Sequence, residues 1–189
     1  MISVRPTDRL FFAVLPDAEA VEAICSLRRK LSERAGLSGP DVPPENFHVT
    51  LWRVADYVVP PTAEDIDAIV RQAGTVERPP FRLSFGGIKS LSRGALVLCA
   101  GRGGAELEGL STRLRERLIP PGTERKQPVR PQMTLMRSET ILPERRIKAI
   151  GWTVREIVLV HRLLGKATRR VVGRLPLRTR QLPLPGFDS

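Results

Sequence analysis

The chain has little with which to do redox, metal or membrane chemistry. Its 189 residues include two cysteines, two histidines and one tyrosine, and aromatic residues make up only 5%. Cys25 and Cys99 form neither a CxxC pair nor a metal-ligand spacing, so both read as reduced thiols packed in a core. No apolar run approaches the roughly 20 residues that a membrane span needs. No basic segment followed by an apolar one opens the sequence, so no secretory leader is expected. GxGxxG and Gly-x4-Gly-Lys-Ser/Thr are both missing, which argues against dinucleotide and P-loop nucleotide binding. The run Gly101-Arg102-Gly103-Gly104 reads as a flexible turn. The expectation is a cytoplasmic monomer that works without a metal or a cofactor.

What is abundant is positive charge. Lysine and arginine total 31 against 20 acidic residues, a net charge of +11. Residues 1–95 hold 12 basic and 12 acidic side chains, whereas residues 96–189 hold 19 and 8. A second half that carries the whole excess favours a polyanionic partner, because basic side chains displace counterions from phosphates. Hydrophobic and charged fractions of 41% and 27% suit one globular domain over 1–189, with two small lobes sharing a core.

One motif occurs twice. His48-Val49-Thr50-Leu51 follows a strand-like run, Arg9-Leu10-Phe11-Phe12-Ala13-Val14, and a helical stretch. Gln132-Met133-Thr134-Leu135 follows a second strand-like run, Ala95-Leu96-Val97-Leu98-Cys99-Ala100, and another helical stretch. His48 lies 39 positions after Arg9, and Gln132 lies 37 after Ala95. Two strand–helix–strand units that each end in x-x-Thr-Leu predict half-domains facing each other across a cleft. The fold class is α+β, with two antiparallel sheets around a central groove.

The remaining elements are set by periodicity and caps. Asp17 is the predicted N-cap of a helix carrying Val21, Ile24, Leu27 and Leu31, closed by Gly36. Thr62 and Asp65 form a capping-box pattern before Ile66, Ile69 and Val70, and Gly74 is the stop. Leu107, Leu110, Leu114 and Leu118 predict a third helix. Residues 37–45 and 120–131 are predicted loops, 143–150 a short helix, and 152–162 with 168–175 a hairpin. The tail 183–189 is expected to fray. Alternation in 47–54 predicts that His48, Thr50 and Trp52 share one face, with Val49 and Leu51 in the core. In 132–137 it groups Gln132, Thr134 and Met136.

These pieces resemble a known family. Arg-Leu-Phe-Phe-Ala at 9–13, Asn-Phe-His-Val-Thr-Leu at 46–51, Arg-Pro-Gln-Met-Thr-Leu-Met-Arg at 130–137 and the stretch around Val158-Leu159-Val160 and Gly165 are similar to the two-histidine phosphoesterase superfamily. The likeness is to the bacterial RNA 2′,3′-cyclic phosphodiesterases, also called 2′-5′ RNA ligases. It implies a bilobal fold with two HxTx motifs across a groove, and metal-free hydrolysis of 2′,3′-cyclic phosphates on RNA ends or nucleotides to 2′-phosphates. It further implies that the first motif's histidine, His48 here, donates a proton to the leaving oxygen. The resemblance implies as well that Thr50 and Thr134 hold the phosphoryl oxygens and that Arg137 contacts phosphate.

The departure is Gln132, where the family has the proton-accepting histidine. A carboxamide hydrogen-bonds but exchanges no proton near neutral pH. Loss of a positioned acid–base group typically lowers rates by about 10²–10⁴-fold. An attenuated or disabled phosphodiesterase and a non-catalytic RNA- or nucleotide-binding homologue are therefore both open. Trp52 is a candidate for stacking a nucleobase. His161, the other histidine, reads as structural, with replacement of the missing base as the sharper alternative.

Overall fold

The computed structural model describes residues 5–119, 131–166 and 168–178. The strands are β1 (Asp8–Val14), β2 (Val49–Tyr57), β3 (Phe81–Ser90), β4 (Ala95–Ala100), β5 (Gln132–Arg137), β6 (Arg145–Val154), β7 (Glu156–Leu163) and β8 (Arg169–Pro176). The helices are α1 (Ala18–Ala35), α2 (Ala63–Ala73) and α3 (Gly104–Leu118), with a 3₁₀ turn at Pro44–Asn46. The predicted tail at 183–189 and most of the predicted 120–131 loop lie outside the described residues.

Local chemistry sets the helix ends as expected. Asp17 caps α1 by accepting from the Ala20 amide at 2.9 Å, and Gly36 ends it in the left-handed region at φ 60°. Thr62 and Asp65 complete a reciprocal capping box on α2.

Two antiparallel four-stranded sheets result, ordered β2-β1-β7-β8 and β5-β4-β3-β6. Helices cross between them: α1 packs on β6, and α3, which leads into β5, packs on β2. One core cluster consequently holds residues from both sheets, among them Leu10, Phe12, Val49, Leu51, Leu96, Met133, Leu135 and Trp152. Helix exchange of this kind makes each unit incomplete without the other.

Two expectations are corrected. Residues 143–150 form no helix: β6 begins at Arg145 and pairs with β3 from Ile88↔Arg145 to Phe81↔Val154. Pairing satisfies the backbone of both strands, and it outweighs a weak local helical preference. The run 152–162 is not one strand either. It breaks at Arg155, so Trp152 stays in the second sheet, stacked on Phe85 with centroids 5.6 Å apart, while Glu156 onward enters the first. The hairpin itself is β7 with β8.

Both motif strands carry a β-bulge just after their threonine. Thr50 opposes Ala13 and Trp52 opposes Phe12, which leaves Leu51 unpaired. Thr134 opposes Val97 and Met136 opposes Leu96, which leaves Leu135 unpaired. Each extra residue shifts the phase of the strand by one, so the residues beyond it change face. Trp52 and Met136 therefore sit in the core at 6% and 1% exposure instead of sharing the face of Thr50 and Thr134. Arg53 and Arg137, which strict alternation would turn inward, are exposed.

The carbonyls of the two bulged leucines are caught from the opposite unit. Ser111 Oγ on α3 donates to Leu51 O at 2.8 Å, and the Val42 amide donates to Leu135 O at 2.9 Å. Ser111 is buried, so Ser111→Ala leaves a buried carbonyl unpaired and is expected to destabilise the fold by about 1–3 kcal/mol. The exposed hydroxyl of Thr75, which bonds Gln72 O, provides the contrast: Thr75→Ala is expected to stay within about 0.5 kcal/mol. Urea denaturation of both variants measures the difference.

Candidate active site

The site is built from the ends of the two bulged strands. In β2, Val49 and Leu51 enter the core and Thr50, between them, is exposed. In β5, Met133 and Leu135 enter the same core while Gln132 and Thr134 are half-buried. β2 and β5 are edge strands of different sheets and touch each other. Because one core backs both, Thr50, Gln132 and Thr134 all point off that core.

The 37–45 segment, expected to be a plain loop, is part of this construction. Val42 and Arg137 amides bond to Leu135 O and Pro40 O at 2.9 and 3.0 Å, and Asp41 bridges Met136. Gly39 allows the approach: a Cβ there would meet Arg137 O at 2.1 Å. Arg28 of α1 clasps the segment by donating to Val42 O at 2.6 Å and lying 5.5 Å over the Phe47 ring. The connector thus lies along β5 and then delivers His48 ahead of β2.

His48 is the titratable centre. Its ring lies 5.3 Å from Phe11, and Nδ1 is 2.9 Å from Asn46 O and 2.8 Å from Arg169 Nη1. Those contacts require opposite states of Nδ1, because the carbonyl needs an N–H and the guanidinium needs a lone pair. Arg169 also donates to the side chain and carbonyl of Asn46. Burial, then the charges of Arg169 and Arg162, push the imidazole down to about 4, against the opposing effect of Asn46 O. Near neutral pH the imidazole is therefore held in its neutral form. Arg169 itself is pushed down to about 10 by burial and by Arg162, with Glu45 acting the other way.

β2 and β8 are the two edges of the first sheet, yet His48 and Arg169 meet, so the sheet coils around this face. Phe11, Ala13, Val158 and Val160 form a small apolar floor on the same side.

Other candidates separate clearly. Trp52 is a core residue, and the expectation that it shares the His48 face is overturned by the Leu51 bulge. His161 pairs through Nε2 with Asp8 at 2.6 Å, and Asp8 also accepts from Thr7 Oγ1 at 2.6 Å. The Thr7 hydroxyl and then His161 hold that carboxyl below its ordinary value against burial. His161 opposes Leu10 in register and alternates with Val160, so it faces away from His48, against the alternative that it stands in for a base at Gln132. Arg137 is exposed and lines a hollow of about 390 Å³ with Arg93, Gly94 and Glu139. Among the described residues no His, Cys, Asp and Glu group is arranged to hold a metal ion, and no helix is long and apolar enough to cross a membrane.

Three arginines escaped the sequence reading. Arg53 had a legible signal, because both motifs continue as Thr-Leu-x-Arg, at 50–53 and 134–137. Arg162 and Arg169 had none, since their place beside His48 depends on strand register and sheet coiling.

Known structures share this fold. E. coli LigT complexed with 3′-AMP aligns at 25% identity and a TM-score of 0.70, covering 93% of this chain and all of that one. E. coli LigT complexed with NADP+ gives 25% and 0.71 over the same shares. TT0787 of Thermus thermophilus gives 24% and 0.66, over 91% of this chain and 99% of its own, and supports the fold alone. No curated protein sequence matches. The 2′-5′ RNA ligase superfamily profile matches residues 15–166, and with two bulged x-x-Thr-Leu strands on a shared core the chain belongs to that superfamily.

Proposed function

We propose that this protein binds 2′,3′-cyclic phosphate ends of RNA or nucleotides in the groove between the motif strands and hydrolyses them slowly to 2′-phosphates. The observation that carries the reading is the duplicated bulge, which turns Thr50 and Thr134 off one shared core on adjoining strands. Two hydroxyls so held donate to the non-bridging oxygens of a phosphate, and Arg137 adds charge from the end of β5. Superfamily membership supports the reading, as does the 3′-AMP in E. coli LigT. The domain is one two-lobed unit acting as a monomer.

The chemistry requires water to attack phosphorus in line with the 3′ oxygen, the P–O3′ bond to break, and that oxygen to gain a proton. His48 is the proton donor. Its resting state is neutral, and the arriving phosphate supplies the anion that favours imidazolium over the influence of Arg162 and Arg169. Gln132 orients the attacking water, whose proton leaves to solvent, since the amide does not take it.

Activity then rests on one histidine. Gln132→His is expected to raise hydrolysis of 2′,3′-cyclic NMP by at least about a hundredfold, read by separating 2′-phosphate product. No gain, with the cyclic nucleotide still bound and its affinity weakened by Thr134→Val, would instead establish a binding homologue. Gln132 together with the neutral resting state of His48 favours that second reading.

The electrostatic claim is tested separately. Removing a cation beside an imidazole eases its protonation, so Arg169→Gln is expected to raise the His48 pKa from about 4 by about one pH unit or more. NMR titration of the imidazole in both proteins measures it. A value unmoved or lowered would show that burial alone sets the neutral state.

A further inference from the structure

One face of α1 breaks its own pattern. Val21, Ile24 and Leu31 follow the spacing of a core-facing stripe, and Ile24 is fully buried. Arg28 stands in that stripe, four residues after Ile24 and three before Leu31, with a side chain only 13% exposed. A leucine or methionine there would complete the packing without desolvating a charge. What the guanidinium adds is a set of contacts that no apolar side chain can make.

Those contacts reach both motifs. Arg28 Nη1 donates to Val42 O at 2.6 Å and to Leu135 O at 3.4 Å. Leu135 is the bulged residue next to Thr134, and its carbonyl also accepts from the Val42 amide at 2.9 Å. Arg28 Nε lies 3.4 Å from the carboxylate of Asp41, which bridges Met136 on the same strand. The guanidinium carbon stands 5.5 Å over the ring of Phe47, the residue before His48. One planar fork therefore touches the bulge of the second motif and the residue that introduces the first.

The sheets alone do not fix the His48 ring. β2 begins at Val49, which opposes Val14, so His48 lies just outside the ladder and takes its place from the chain ahead of it. That chain is the connector, and Arg28 is where α1 grips it.

We propose that Arg28 is a positioning residue: by bonding the β5 bulge and clamping Phe47, it sets where the His48 ring stands relative to Thr134. The inference rests on the reading of the groove as a phosphate site and deepens it. A phosphate shared between strands of different sheets is bound well only when its donors are held to within a fraction of an ångström. Arg28 acts there through Phe47 and Leu135 and touches no ligand. Lysine is an incomplete substitute, because an ammonium brings charge without the fork.

The test applies two readouts to Arg28→Met and Arg28→Lys: calorimetric affinity for adenosine 3′-monophosphate and NMR titration of the His48 imidazole. Methionine keeps an apolar stem in the stripe, and urea denaturation checks that the variant folds. Arg28→Met is expected to weaken 3′-AMP binding by at least about fivefold. With Phe47 released the imidazole gains solvent, so its pKa is expected to rise from about 4 by about half a pH unit or more. Arg28→Lys keeps the positive charge and is expected to move both readouts in the same direction by less, which separates placement from charge. The ring signals of His161, which faces away from His48, are expected to stay in place. A purely structural role would lower the urea midpoint and leave affinity and the His48 titration of the folded protein unmoved; either readout unmoved overturns the proposal, and so does movement of both histidines. Should Arg28→Met fail to fold, Arg28→Lys decides by the same criteria. Failure of the wild-type protein to bind 3′-AMP would overturn the groove reading, and the His48 titration would then decide the role of Arg28 alone.

Discussion

The site depends on two unpaired leucines. Leu51 and Leu135 each add one residue to a strand just after the motif threonine, and each sends its side chain into the shared core. Without that extra residue, Trp52 and Met136 would lie on the side of Thr50 and Thr134, and Arg53 and Arg137 would face inward against apolar side chains. An unpaired arginine buried there would carry a penalty far above the modest loss of a ladder bond. The bulge is what lets one strand place a threonine and an arginine three residues apart on the same side.

Bulges free carbonyls, and a buried free carbonyl is unfavourable. Leu51 O is satisfied by Ser111 from the helix of the second unit, and Leu135 O by Val42 from the connector of the first. The reciprocal bonding fixes the motif strands relative to each other through hydrogen bonds, where packing alone would allow sliding. It also explains why the connector lies along β5 although it is rich in proline and glycine. Gly39 permits the backbone contact, Pro40 accepts from Arg137, and the rigid run 43–46 delivers His48.

Much of this was legible in the sequence. Asp17, Thr62 and Asp65 announced their helices because capping is local chemistry, and the doubled x-x-Thr-Leu announced the two units. The faces of Trp52 and Met136 were misread because alternation assumes an unbroken ladder, and a bulge leaves no composition signal. Residues 143–150 were misread because an edge of β3 more than 50 residues upstream decides their conformation. The arginines around His48 were invisible for the same reason: Arg162 and Arg169 join it only through the register of β1, β7 and β8 and the coiling of that sheet.

The electrostatics around His48 bear on the role proposed for Gln132. The His48 side holds its imidazole neutral at rest through burial and two guanidiniums, so proton donation there has to be induced by an anion. A base in the position of Gln132 would need to be neutral before attack. On the proposed reading, glutamine there leaves the inducible acid in place without a base. On that reading, ligand binding rests on the threonines and the cations, whereas turnover lacks the one step that an amide cannot perform.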